Sequence, residues 1–205
     1  MIKNKKELRF YISADRLMNG YPLKCSIKEL VHRLFIGGGI VDYLKAMRCY
    51  SYYKGQDGPI SIILRHFHGT QFRKLGKKLS FSIGEDVFGY GLLIPHYGTI
   101  VVGSTNRIGN YAVLHTSTCI SSKSSEIGDG LYLSTGAKIT QKVILGNGVM
   151  VGANSVVNKS CESNSLIVGA PAKPIGERAI WYSEEPVFQS RVNQVEQLKK
   201  VLHTS

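Results

Sequence analysis

Between residues 94 and 157 a leucine or branched aliphatic returns at every sixth position. Val102, Ile108, Leu114 and Ile120 run in one phase; Ile127, Leu133, Ile139, Leu145, Val151 and Val157 run in a second, displaced by one inserted residue. A further set of small or branched residues falls four places on: Ala112, Thr118, Ser124, Ala137, Val143, Val149 and Ser155. Glycine follows several of the aliphatics, as in Ile108-Gly109, Ile127-Gly128, Leu145-Gly146 and Val151-Gly152. A period of six matches neither the roughly 3.6 of a helix nor the alternation of a plain strand. It is the period of a β-solenoid, in which each unit supplies one short strand and one tight corner. The aliphatics stack inward on their copies in the next coil, and glycine or a small residue relieves crowding at the corners.

At 205 residues the chain can bury one substantial core. No apolar run approaches the roughly 20 residues that span a bilayer, and the charged start MIKNKKELRF lacks the apolar stretch of a signal peptide. Cys25, Cys49, Cys119 and Cys161 show no CxxC spacing, which argues against a metal or disulfide framework and for a reducing cytoplasm.

The net charge of +12 is unevenly placed: residues 1–81 hold 16 Lys/Arg against 5 Asp/Glu, and residues 82–178 hold 7 against 6. No nucleic-acid recognition motif accompanies the charge. Peripheral contact of this basic part with a membrane surface or an anionic polymer fits it, as does a solvated surface without a partner.

Three segments follow, with boundaries at 1–78 (helical), 79–178 (solenoid) and 179–205 (a helical extension). Residues 1–25 are weakly patterned. Ser26 and Glu29 form a capping box that opens a helix to about Phe35, and Gly37-Gly38-Gly39 ends it. A second helix is expected over Val41–Tyr53. A third opens at Pro59 with an apolar stripe of Ile60, Ile63, Leu64 and Phe67. His66 and His68 fall on different faces there and read as surface or packing residues. Lys74 to Lys78 read as a short basic hinge. At the far end Val192, Val195, Leu198 and Val201 mark an amphipathic C-terminal helix.

Two histidines lie in the repeats, His96 after Ile94-Pro95 and His115 after Leu114. Counting units puts Leu114 one full triangular coil after Ile94, so both histidines belong to neighbouring coils of one face. Above them the same face carries Leu133-Ser134 and Val151-Gly152. Two imidazoles at the foot of a groove lined by small residues suit a base beside a slot for a narrow ligand.

Residues 82–178 resemble the hexapeptide-repeat acyltransferases, in the serine acetyltransferase-like branch. The resemblance rests on the run His96-Tyr97-Gly98-Thr99-Ile100-Val101-Val102-Gly103, on Ile108-Gly109-Asn110, on Val151-Gly152-Ala153-Asn154-Ser155, and on the closing Val168-Gly169-Ala170-Pro171-Ala172-Lys173. Leu44, Arg48 and Tyr52-Tyr53-Lys54 are similar to members associated with capsule and exopolysaccharide synthesis.

The resemblance implies a mainly β protein, a left-handed parallel β-helix that forms a homotrimer and uses acetyl-CoA as acyl donor without a metal. It makes His96 the general base, with His115 as a second catalytic candidate. It runs the pantetheine arm past Ser134, Gly136, Ala137, Gly152 and Ala153, and brings Ala170 and Lys173 to the CoA end, Lys173 toward the phosphates.

The chain departs from the serine-specific pattern. Pro95 stands where an acidic residue precedes the catalytic histidine, and Phe81 where an Asp orients it. Ser121–Glu126 carries no second histidine, and the chain ends in Ser205 rather than the isoleucine that docks the cysteine-synthesising partner. These departures point to O-acetylation of a saccharide or nucleotide-sugar hydroxyl in surface-polysaccharide synthesis. A serine O-acetyltransferase of cysteine biosynthesis is the alternative. A non-catalytic solenoid scaffold is the remaining one, since a zinc-dependent carbonic anhydrase on this fold needs three histidine ligands and the solenoid holds two.

Overall fold

The inward aliphatics fall on three columns, and these columns are the three faces of a parallel β-solenoid. The computed structural model describes residues 2–204 apart from Lys28, Leu30, His32, Arg33, Leu34, Ile36 and Gly37, and only the backbone of His203 and Thr204. One face stacks β1 (Phe81–Ile83), β2 (Ile100–Val102), β5 (Thr118–Ile120), β8 (Lys138–Ile139) and β11 (Val156–Val157). A second stacks β3 (Arg107–Ile108), β6 (Glu126–Ile127) and β9 (Ile144–Leu145), extended by bridges from Phe88 and Cys161. The third stacks β4 (Val113–Leu114), β7 (Tyr132–Leu133), β10 (Met150–Val151) and β12 (Ser165–Gly169). It is closed by the antiparallel β13 (Ala172–Glu177).

Register follows the hexads. Leu114 pairs with Leu133 and Leu133 with Val151, while Ile120 pairs with Ile139 and Ile139 with Val157. These side chains are buried in one continuous core. Each fully buried aliphatic contributes about 1.5–3 kcal/mol over an exposed one. The small residues Ala112, Thr118, Ala137, Val143, Val149 and Ser155 are buried as expected, but Ser124 is not: Ser125 takes that place. Ser124 has φ 59°, the left-handed value that Tyr111, Ser117, Gly130, Gly136, Gly148 and Asn154 also adopt at their corners. The inserted residue therefore falls before Ser125.

Three helices cover the first coil. The first, α1 (Lys5–Met18), lies in the stretch with no clear pattern; the Asn4 side chain caps it by accepting from the Glu7 N–H. Next come α2 (Ile40–Lys54) and α3 (Pro59–Leu79). The hinge expected at Lys74 to Lys78 is helical, the last turn of α3. The apolar stripe on α3 also faces the other way: Ile60, Ile63 and Phe67 are exposed, and the buried residues are Gly69, Gly76 and Leu79. Helix α3 docks on α2 where the missing side chain of Gly69 admits the Tyr50 ring. The Ser26 hydroxyl accepts from the Glu29 N–H at 3.2 Å, as a capping box requires. Much of the helix expected after it lies outside the described residues.

A buried ion pair joins the helices to the solenoid. Arg48 Nε donates to Asp15 Oδ2 at 2.8 Å, and the other guanidinium nitrogens reach the carbonyls of Phe88 (2.8 Å) and Gly89 (2.6 Å). Asp15 in turn accepts from the Leu92 N–H at 3.0 Å. At the other end α4 (Trp181–Glu184) and α5 (Pro186–Thr204) fold back over the third face. Val195 is fully buried there, while Val201 at the end of the same stripe is exposed. No helix among the described residues is long and apolar enough to cross a membrane.

Candidate functional site

The bridge from Leu93 to Val113 sets the histidine register. It aligns Ile94 with Leu114, Pro95 with His115, and His96 with Thr116. The two histidines share a face on adjacent coils, offset by one residue. His96 is exposed at the corner, and His115 is half-buried on the column that continues through Ser134 and Gly152. Backbone hydrogen bonds tie that column together, from the N–H groups of His115, Ser134 and Gly152 to the carbonyls of Leu133, Val151 and Ile167.

His115 has a partner that the motif does not announce. Its Nε2 lies 2.8 Å from the Tyr132 hydroxyl on the next coil, with the rings 5.1 Å apart. Burial, and then the neighbouring charge of His96, hold the His115 pKa below the usual imidazole value. Burial also raises the Tyr132 phenol, so at neutral pH the pair is neutral imidazole and protonated phenol. When the phenol donates to Nε2, the ring presents Nδ1–H outward; the reverse tautomer leaves Nδ1 as the acceptor.

The remaining expected residues divide. Ser134 and Gly152 stand in line above His115, and Ala153 is exposed at the adjoining corner. A side chain at Gly152 would press on Val168 of the next strand, at 2.7 Å from its Cγ1. Ala137 is fully buried in the core, so its methyl fills a corner and cannot line a groove. Gly136 is buried beside it. Ala170 and Lys173 are exposed on the β12–β13 hairpin; Lys173 pairs with Val168, which follows Gly152 in register, so it stands at the far end of the column that begins at His115. Phe81 is buried against the Tyr43 ring at 5.2 Å, a packing residue with no bearing on an imidazole.

A cleft of 470 Å³ opens beside His115. Leu93, Pro95, Val113, Tyr132, Ser134 and Met150 of the solenoid form one wall. The other comes from the C-terminal segment: Arg178, Trp181, Glu184, Glu185 and Phe188. Two carboxylates against one guanidinium give this opening a net negative character, which disfavours a phosphorylated acceptor. Period and motif missed this second wall. The outward positions Leu93, Val113, Tyr132 and Met150 are apolar, but so are Val101, Cys119, Val156 and Ile144 on the other faces, so the sequence alone does not mark the covered face.

No protein-family model matches the chain. It is 36% identical over 114 residues to serine acetyltransferase 4 of Arabidopsis thaliana, covering 50% of this chain and 32% of that enzyme. It is 26% identical over 159 residues to a serine acetyltransferase of Staphylococcus aureus, covering 69% and 68%. The chain thus spans about a third of the two Arabidopsis enzymes it matches. Among solved structures, soybean serine acetyltransferase complexed with serine superposes with a TM-score of 0.59 at 20% identity, over 83% of this chain and 84% of that one. The Brucella abortus serine acetyltransferase gives 0.58 at 21% identity, over 84% and 69%. At such identities these likenesses speak to the fold, and the fold is the expected left-handed parallel β-helix with flanking helices.

The comparisons correct the expectation of a saccharide or nucleotide-sugar acceptor in polysaccharide synthesis, because the relatives and neighbours are named serine acetyltransferases. The expectation rested on the departures at Pro95, Phe81, Ser121–Glu126 and Ser205 and on the likeness of α2 to polysaccharide-associated members. Phe81, Leu44, Arg48 and Tyr52 are buried packing residues, so they carry information about the helical cap and none about an acceptor, while Pro95 removes one acidic side chain from the cleft without naming a sugar.

Proposed function

We propose that the chain is an acetyl-CoA-dependent O-acetyltransferase whose acceptor is the hydroxyl of L-serine. The observation that carries this reading is the placement of His96 and His115 on one face of adjacent coils, offset by one residue, beside a cleft that holds both signs of charge. The likeness to serine acetyltransferases supports the acceptor.

In this reading His96 takes the proton from the serine hydroxyl as that oxygen attacks the thioester carbonyl. The tetrahedral intermediate collapses with cleavage of the carbon–sulfur bond, and the imidazolium returns its proton to the departing thiolate. His115, kept neutral by burial, fixes the acceptor side through the polar group that Tyr132 leaves free. The donor arm passes Ser134, Gly152 and Ala153 and meets Lys173 with its phosphates. Assembly as a homotrimer, implied by the family resemblance, belongs to the same reading.

The test is release of CoA thiol from acetyl-CoA with L-serine, beside a panel of sugars and nucleotide-sugars. Release with serine is expected. Release with a sugar and none with serine overturns the proposal.

A further inference from the structure

In the serine reading the acceptor's ammonium calls for an acidic partner, and Pro95, standing where the serine-specific pattern has an acidic residue, supplies none. Pro95 nevertheless lines the cleft beside His115, and the opposite wall supplies charge. Trp181 is buried and donates its indole N–H to the Tyr111 carbonyl at 2.9 Å, which pins the short α4 turn to the solenoid. This docking brings Arg178, Glu184 and Glu185 to the C-terminal wall of the cleft. Arg178 Nε donates to Glu184 Oε1 at 2.8 Å, which orients the guanidinium. Glu185 has no ion-pair partner among the described residues. Both Glu185 and Arg178 act on the Tyr132 phenol, in opposite senses, so both stand within electrostatic reach of the hydroxyl that contacts His115.

We infer that this cleft is an α-amino-acid subsite, in which Glu185 receives the acceptor's ammonium and Arg178 its carboxylate, turning the hydroxymethyl group toward the histidines. The inference rests on the serine reading and adds to it the residues that recognise the zwitterion. Arg178 and Glu185, both on the C-terminal wall of the cleft, complement the two charges of a free amino acid. A neutral sugar would leave Glu185 without a counter-charge, and a sugar phosphate would face the net negative side. The volume lies within the usual range of about 300–1,000 Å³ for small-molecule sites. It exceeds the needs of serine and leaves room for the thioester.

The full chain and the variants Glu185→Gln and Arg178→Gln are compared by CoA release with L-serine varied at saturating acetyl-CoA. Serine binding is measured in parallel by titration calorimetry without donor. Both side chains are exposed, so the melting temperature is expected to hold. Loss of one charge-assisted contact should raise the KM for serine on the order of ten- to hundredfold and leave the KM for acetyl-CoA unchanged. Glycerate, which keeps the hydroxyl and carboxylate but lacks the ammonium, should be a poor acceptor for the wild type. Glu185→Gln should erase most of that preference.

Unchanged serine KM and binding in both variants overturn the subsite while the serine reading stands. Serine bound by the wild type but never acetylated overturns the reading alone, and loss of that binding in Glu185→Gln still supports the subsite. No binding and no turnover overturn both.

Discussion

Nε2 of His115 and the hydroxyl of Tyr132 lie 2.8 Å apart across adjacent coils, and this contact joins the histidine column to the wall of the cleft. Tyr132→Phe keeps the ring packing against Trp181 and removes only the hydroxyl. The half-buried imidazole nitrogen then loses its protein partner. The cost of one such hydrogen bond is about 0.5–1.5 kcal/mol. Turnover per KM for serine should fall between about twofold and tenfold, with little change in melting temperature. Steady-state kinetics beside a thermal melt checks both.

The same burial gives a pH dependence of stability. His115 and His68 both titrate below the ordinary imidazole value in the folded chain, chiefly through desolvation, with His96 adding to the first and Lys45 to the second. As pH falls through about 6.5, the unfolded chain takes up these protons before the folded one does, so the folded state loses stability on the acid side. Urea midpoints should drop from pH 7.5 to 5.5. In His115→Gln that drop should be shallower, and an equal slope would remove His115 from the account.

The coil register was legible because an inward aliphatic every sixth residue leaves little freedom: a slip of one residue would turn it outward. The slip that the chain does contain was harder to place. Period alone could not decide between Ser124 and Ser125, since the choice depends on which residue adopts φ near 60° at the corner. Helix α1 escaped notice because part of what it buries is polar: Asp15 and Arg16 are held by partners far along the chain, Arg48 and Glu29. Arg178 and Glu185 were invisible for a similar reason. They reach the cleft only because Trp181 docks on Tyr111, a contact across 70 residues that no local pattern encodes.

Arg48 is the firmest prediction about stability. Replacing it by Ala leaves Asp15 buried with its charge uncompensated, and frees the carbonyls of Phe88 and Gly89 as well. Breaking a buried pair in this way costs about 3–5 kcal/mol. The double variant Asp15→Asn, Arg48→Met should recover part of the loss, because the stranded charge is gone. Chemical denaturation of the three proteins reads the difference. Equal stabilities for the single and double variants would mean that the pair is not coupled.

Two glycines separate corner geometry from composition. Gly136 has φ 76°, and a Cβ there would collide with Asn154 Oδ1 on the next coil. Gly176, on the exposed hairpin, has nothing within 4 Å of that position. Gly136→Ala should therefore cost about 1–3 kcal/mol, from left-handed backbone strain and the displaced asparagine together. Gly176→Ala should stay within about 0.5 kcal/mol of the parent. Paired thermal melts decide it.

His96 carries the reaction step in the proposed mechanism, and its exposed corner makes the test clean. The side chain contributes little to the core, so His96→Ala should fold and melt like the parent. Loss of a general base lowers turnover by about 10²- to 10⁴-fold. His115 sits one coil away but is engaged with Tyr132, which limits how far it can take over. The fall should therefore appear in kcat, with the KM for serine nearly unchanged, because the proposed ammonium and carboxylate contacts are left in place. Raising the pH should restore part of the rate, as hydroxide or ionised acceptor replaces the missing base. A variant that keeps the parent's kcat would assign the proton transfer to another group, and His115 would be the next to replace.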